Sequence, residues 1–531
     1  MTGTMQSERR RVGPLSQWDA DESPDLLEES IGEILLRRAA EQGERPAVHW
    51  LVDGQVRSLS YADLAAQATR AAHAIAGCVD KGERMAIWSR NELSWIVLEY
   101  AAALAGVILT PFNTAWSDGE VRHAIALTTP TLVFAGTDAR GDDLSERVKP
   151  LAGGIDVVAM GELDEWVAGQ PEHPLPEVSA EDPFLIQFTS GTTGRAKGAV
   201  LSQRSALNCA YQRNRAEVIV DDDCYCNPVP YHHVGGSCSV ILGGVSDGGA
   251  IVLLQRWIPE DVVRLLESGV ATRVGGVPTM MIDLVARLKE GGGQQYGLAS
   301  VSVGGAQVPE YLIEEVAQLF GAPVVNTYAQ SESPMITTTS STDEASIIST
   351  TVGRPAGGVS LRIVAPDSGE VVPVGEPGEI VVKSPYVMMG YWDMPEQTAA
   401  ASTADGYLKT GDLASMDEFG NISFRGRARD VIIRGGENIY PAEVEEIVAQ
   451  HPDVAGVVVV GAPDERYGER PVGVVVRRPG SSVTGEALSE YLAGELARFK
   501  IPTSWRFVDE FPMTASGKVR RFLLREAAAE E

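Results

Sequence analysis

Residues Phe188 to Gly198 read FTSGTTGRAKG: three glycines, hydroxyls on Thr189, Ser190, Thr192 and Thr193, and a lysine, Lys197. Glycines such as Gly191 and Gly194 let the backbone approach a ligand closely. A run of N–H groups and hydroxyls supplies donors for phosphate oxygens, and lysine adds a mobile positive charge. The stretch follows FLIQF, a strand-like run. Its donors therefore fall at a strand end, where open α/β sheets bind anions. A Walker A loop needs Gly before its lysine and Ser or Thr after it; Ala196 and Gly198 stand in those places. Taken alone, the stretch is equally well explained as a flexible surface turn.

It is not alone. GGAQVP begins at Gly304, NTYAQSESP spans Asn326–Pro334, and YLKTGDLA spans Tyr407–Ala414. FRGRARDVIIRGGENIYPAEVEE spans Phe424–Glu446, and PMTASGKVRR spans Pro512–Arg521. In this order, the six segments resemble the adenylate-forming superfamily of acyl-CoA synthetases, firefly luciferases and non-ribosomal-peptide adenylation domains. The resemblance covers about residues 30 to 525.

That resemblance implies transfer of AMP from ATP to a carboxylate, followed by capture of the acyl group by a thiol. The first step gathers two anions, so charge must be neutralised at the reacting centre. By resemblance, the opening loop cradles the β- and γ-phosphates. Glu332 is the Mg²⁺ carboxylate, with Thr193 a second contact. Gly304, Gly305 and Ala306 wall the adenine pocket, and Tyr328 stacks on the base. Asn326, Ala329 and Ser331 belong to the same nucleotide segment, where Ala329 replaces a frequent glycine and Ser331 a frequent threonine. Asp412 accepts the ribose hydroxyls, and Arg427 reaches the same ribose. Lys518 contacts the α-phosphate and carboxylate oxygens. A hinge at Arg429–Asp430 then swings Lys518 away and brings in Gly435, Gly436 and Glu437 beside the pantetheine of coenzyme A.

PVPYHHVGGSCS sets the acyl side. With Cys224 and Cys226 upstream, its histidines invite a zinc reading, but the spacing fits no common zinc pattern. The resemblance makes His233 a gate beside the carboxylate, with Tyr231 and His232 nearby; His232 could equally be the aligned residue. Gly235, Gly236, Cys238, Val277, Pro278 and Met335 would line a mostly apolar pocket. No aspartate is present here to pair a substrate ammonium, so an uncharged acid is expected over an amino acid. An unbroken run between Glu332 and Gly353, together with GGEN, favours coenzyme A as the thiol. Loading of an acyl carrier protein, and a non-catalytic nucleotide-binding relative, are the alternatives.

Elements must hold these groups. RMAIWS, GVILTP, TLVFAG, FLIQFTS, AIVLLQ and PVVNTY read as buried strands between amphipathic helices such as YADLAAQATRAAHAIAG and PEDVVRLLESG. That alternation predicts an α/β fold with parallel sheets. A β-rich subdomain is expected over about 359–424, and a small mobile α+β domain over 429–531. Residues 1–28 read as a flexible arm and 29–428 as the large domain. At 531 residues the chain exceeds one domain. Lys and Arg number 44 against 73 Asp and Glu, a net charge of −29. This argues against nucleic acid and anionic membranes as partners, yet leaves room for a local anion site. Five scattered cysteines and no apolar leader or membrane span suggest a reducing, cytoplasmic setting. By analogy with relatives, a homodimer is an open assembly state.

Overall fold

The computed structural model of the chain describes residues 11–20, 25–189, 196–305, 308–434, 437–464, 466–493, 495–513 and 519–529. It folds into two compact units. One comprises Asp19–Ser360 and Lys383–Leu408; the other comprises the residues up to Trp18, Leu361–Val382 and those from Lys409 on.

Among the described residues, the larger unit holds two sheets. Runs such as ILTP, LVFA and AIVL are buried at every residue, as strands covered on both faces must be. Among the described residues, one sheet runs in the order Asp156–Ala159, Leu132–Ala135, Arg84–Trp88, Ile108–Pro111, Pro183–Thr189, Lys197–Ser202, Gly390–Tyr391. Its first five strands are parallel; Lys197–Ser202 runs antiparallel to them, and Gly390–Tyr391 pairs antiparallel with Lys197–Ser202. The other sheet has nine described strands. Its middle is parallel from Pro46–Val52 through Ala250–Leu253, Cys224–Cys226, Arg273–Gly276 and Ser300–Gly304 to Val324–Gln330. Helices begin where caps dictate: Ser30 with Glu33, and Ser117 with Glu120, form capping boxes that satisfy the first-turn N–H groups.

A charged cluster lies between helix Gln203–Ala216 and the nine-stranded sheet. Arg273, 2% exposed, donates to Asp223 at 2.7 Å and to Glu217 at 2.7 Å. Arg213 pairs with Glu217 at 2.6 Å and donates to Ser302 at 2.9 Å. The Arg213 and Arg273 guanidinium groups lie 4.5 and 4.7 Å from the Tyr225 ring centroid. Burial pushes the Glu217 carboxyl up, but Arg213 and Arg273 outweigh it and hold it below its ordinary value.

In the second unit, Gln17–Trp18, Ser360–Val364, Gly378–Lys383, Leu408–Met416 and Ile422–Arg427 form one sheet. Part of the segment expected as an arm is thus a strand, with Gln17 opposite Arg362. Residues 409–428 group here and not with the larger unit. Their hairpin runs straight into the turn Ala428–Asp430, and helix Pro441–Ala449 packs on its second strand. A second sheet contains Glu437–Ile439, Ile432–Arg434, Gly468–Arg477 and Val454–Asp464, with Ser504–Val508 parallel to Gly468–Arg477.

Candidate active site

The segment expected to cradle phosphate is flanked by two paired strands. Pro183–Thr189 and Lys197–Ser202 are antiparallel, with Thr189 opposite Lys197 and Phe188 opposite Gly198. Buried Phe184, Leu185 and Ile186 anchor its base. Ser190, Gly191, Thr192, Thr193 and Gly194 lie outside the described residues. The Lys197 ammonium sits 4.7 Å from the centroid of the Tyr391 ring. The Tyr391 hydroxyl donates to the Glu332 carboxylate at 2.8 Å. Glu332 occupies a two-residue turn with Ser331, since Gln330 pairs with Ser333 across the adjoining strands.

Among the described residues, no group of three or more His, Cys, Asp or Glu is arranged to hold a metal. The half-buried Glu332 carboxylate fits Mg²⁺, which takes one or two protein oxygens and fills the rest from phosphate and water. Cys224 and Cys226 are buried thiols; burial pushes Cys226 up to about 12, so neither offers a thiolate.

Of the residues expected to wall the nucleotide, Gly304, Asn326 and Tyr328 lie on the adjacent parallel strands Ser300–Gly304 and Val324–Gln330. Gly304 pairs with Thr327, and a Cβ at Gly304 would lie 3.1 Å from the Thr327 carbonyl. Gly305 has φ +84, which favours glycine. Asn326 is buried, and its N–H donates to Thr339 at 2.8 Å. Tyr328 is half-buried, with its hydroxyl accepting from Gln330 at 3.3 Å, and Ala329 is exposed. Ala306 lies outside the described residues.

In the segment expected to meet the acid, Asn91 accepts the Tyr231 N–H at 2.7 Å and donates to Val229 and Leu254. His232 is 7% exposed, and burial, then His233, pushes it down to about 3. It is a neutral packed ring. His233 is half-buried, and its Nδ1 accepts from the Gly235 N–H at 3.1 Å. In the neutral tautomer its proton is therefore on Nε2. Gly235–Ile241 forms a π-helix, a rare turn frequent at functional sites. A Cβ on Gly236 would fall 2.2 Å from the Pro230 carbonyl oxygen, so only glycine lets this turn close. Cys238 and Met335 are fully buried, Pro278 is buried and Val277 half-buried. The Tyr231 hydroxyl is buried with no hydrogen-bond partner among the described residues.

Three further groups here stand outside the sequence motifs. Glu99 is fully buried on helix Leu93–Ala105 and accepts from Ser237 at 2.7 Å and Trp95 at 3.2 Å. Burial pushes its carboxyl up to about 7. Gln187 donates to the His232 carbonyl at 3.1 Å. Tyr391 is the third; the Gly-Tyr-Trp run ahead of Pro395 was its only signal.

The remaining predicted residues belong to the second unit. Asp412 and Arg427 face each other across a hairpin and pair at 3.3 Å. Asp412 is 3% exposed; Gly411, at φ +70, precedes it within the strand Leu408–Met416. Arg429 and Asp430 lie in a short 3₁₀ turn, 3.8 Å apart. Glu437 pairs with Arg434. Gly435, Gly436 and Lys518 lie outside the described residues.

A family model described as AMP-binding enzyme matches residues 35–392, and one described as AMP-binding enzyme C-terminal domain matches 443–518. The chain belongs to the AMP-binding enzyme family. Relatives of this AMP-binding enzyme include the indoleacetate–CoA ligase of Aromatoleum aromaticum, 34% identical over 90% of this chain and 94% of that one. The medium-chain acyl-CoA ligase ACSF2 of Danio rerio is 30% identical over 96% of this chain and 90% of that one. ATP-bound MatB from Rhodopseudomonas palustris superimposes with a TM-score of 0.85 at 29% identity, covering 94% and 99% of the two chains. The AMP-binding enzyme is an AMP-forming acid–thiol ligase. Among its described residues, no helix is long and apolar enough to cross a membrane.

Proposed function

We propose that the enzyme joins an uncharged, mostly apolar carboxylic acid to coenzyme A through an acyl adenylate. A carboxylate oxygen of the acid attacks the α-phosphorus of ATP, and the bond to the leaving pyrophosphate breaks. The sulfur of coenzyme A then attacks the acyl carbonyl, the C–O bond to AMP breaks, and the thiol proton goes to water. The observation that carries this reading is the pairing of Lys197 and Glu332 with one tyrosine at the phosphate-loop hairpin. Lys197 meets phosphate oxygens; Glu332, with Thr193, would hold Mg²⁺, whose charge offsets that of the phosphates. Lys518 serves the α-phosphate, Asp412 and Arg427 the ribose, and rotation at Arg429–Asp430 exchanges Lys518 for Gly435 and Gly436. The half-buried His233, not the packed His232, is the gate.

Buried Tyr231, Cys238 and Met335 support an apolar acyl group. The indoleacetate and medium-chain relatives support an aromatic or aliphatic one. The test is ATP–pyrophosphate exchange against a panel of aromatic, alicyclic, aliphatic and amino acids. Product mass with free coenzyme A, against a phosphopantetheinyl carrier protein, then identifies the acceptor. Exchange driven best by amino acids, or thioester formed only on the carrier, would overturn this assignment.

A further inference from the structure

Tyr391 is fixed from three sides. It pairs antiparallel with Ala199 on the strand that carries Lys197. To either side of it, Met389 N–H donates to Val200 and Trp392 N–H to Gly198, each at 2.8 Å. The Tyr391 N–H donates to the Thr398 hydroxyl at 2.9 Å. The preceding Gly390 has φ +147, and a Cβ there would lie 2.9 Å from Thr398, so the segment admits only glycine. Met388 N–H meanwhile donates to the Glu332 carbonyl at 2.8 Å. One short segment, 388–392, thus ties the lysine strand to the glutamate turn.

The ring and hydroxyl then divide the two charges. Lys197 rests on the ring face, a cation–π contact. Glu332 takes the hydroxyl at the ring edge. A phenol is protonated at neutral pH, so the Tyr391 hydroxyl is the donor in this contact.

We propose that Tyr391 is a positioning residue for adenylation: its hydroxyl orients the Glu332 carboxylate for Mg²⁺ while its ring holds Lys197 on a separate face, so that the cation and the carboxylate do not neutralise each other. The assignment rests on the adenylation reading above. A lysine and a glutamate that share one tyrosine attract each other when partly desolvated. Collapse into an ion pair would cost the nucleotide one donor and the metal one ligand. A tyrosine between them holds both charges in place without cancelling either.

The test uses Tyr391→Phe, Tyr391→Leu and Glu332→Gln in the full chain. ATP binding is measured by calorimetry across a magnesium series without acid, and pyrophosphate exchange is measured across the same series. Phe keeps the ring and loses the hydroxyl. It should raise the Mg²⁺ needed for half-maximal ATP binding by about tenfold, the worth of one hydrogen bond to a charged group. Excess Mg²⁺ should restore exchange. Leu should also weaken ATP binding at saturating Mg²⁺, because Lys197 loses its rest. In the Glu332→Gln background, Tyr391→Phe should add nothing further. Unfolding by circular dichroism checks each variant; if the Leu protein does not fold, the Phe protein decides alone. An unchanged or lowered Mg²⁺ requirement in Tyr391→Phe overturns the proposal, as does a full additional effect in the Glu332→Gln background. A wild type that binds Mg·ATP yet exchanges with no acid would defeat the adenylation reading while the binding arm still decides Tyr391. A wild type that binds no ATP overturns both.

Discussion

Arg273→Met removes the cation from a site where water cannot replace it. The methionine fills most of the volume, so the effect is electrostatic. Asp223 loses contacts at 2.7, 2.9 and 3.1 Å and keeps the Thr272 hydroxyl at 2.9 Å. Glu217 loses one at 2.7 Å and keeps Arg213 at 2.6 Å. Both carboxylates are shielded, with side chains 6% and 1% exposed. Stripping one partner from a buried pair costs about 3–5 kcal/mol, because the remaining charge is uncompensated. We expect about 4 kcal/mol, the surviving Arg213 pair moderating the Glu217 part. The assay is urea unfolding followed by tryptophan fluorescence, extrapolated to water. Its pH dependence is the sharper test. Native Glu217 titrates below its ordinary 4.5. Its stabilisation is therefore present above that pH and lost as pH falls through the folded value. Arg273→Met removes much of that contribution, so the penalty should be largest at pH 7 and shrink towards pH 4. Adding Glu217→Gln and Asp223→Asn should recover part of it. A penalty under about 1 kcal/mol, or one equal at pH 4 and pH 7, would mean that these carboxylates do not depend on Arg273 for their charge.

Lys518→Ala should slow adenylation by about 10²–10³, the usual loss for one preorganised charge-stabilising group. Thioester formation from synthetic acyl-AMP should be spared, which stopped-flow of the two half-reactions will separate. Glu99→Gln removes a carboxyl raised to about 7. Native stability from this group is full below pH 4.5 and lost as pH rises through 7, at most about 3 kcal/mol, so the variant should gain on the wild type between pH 5 and 8 in denaturation curves. Gly236→Ala forces a Cβ to within 2.2 Å of the Pro230 oxygen. The displaced turn should raise the KM for the acid about tenfold or more with ATP affinity retained, as shown by parallel saturation and nucleotide-binding titrations.

The parallel strands were legible because burial on both faces demands unbroken apolar runs, and ILTP or AIVL admit no other use. Lys197 and Glu332 could be singled out because each stands in a local segment with a recognisable pattern, and the structure brings both to Tyr391. Tyr391 was not: it meets Glu332 across 59 residues, through a sheet-edge pairing that no local pattern encodes. Gly235–Ile241 escaped because a π-turn is set by close backbone packing at Gly236, not by periodicity. The grouping of residues 409–428 with the C-terminal elements also follows from tertiary packing. Glu99 sits in a helix apolar on nearly all sides, where the sequence shows a lone acid and not the hydroxyl that meets it 138 residues on.

The strand Gln17–Trp18 bears on the order in which the chain can fold during synthesis. Beside it, the Ser16 hydroxyl donates to the Pro373 carbonyl, 357 residues further along. At roughly 5–20 residues per second, a ribosome needs roughly 20–70 s to deliver that partner. Over that interval Trp18 has no sheet to join, while strands of the larger unit emerge and can pair among themselves. The N-terminal strand is thus a late clasp, made first and fastened last. Nascent chains stalled before residue 361 should leave it open to protease, and chains released after residue 427 should protect it.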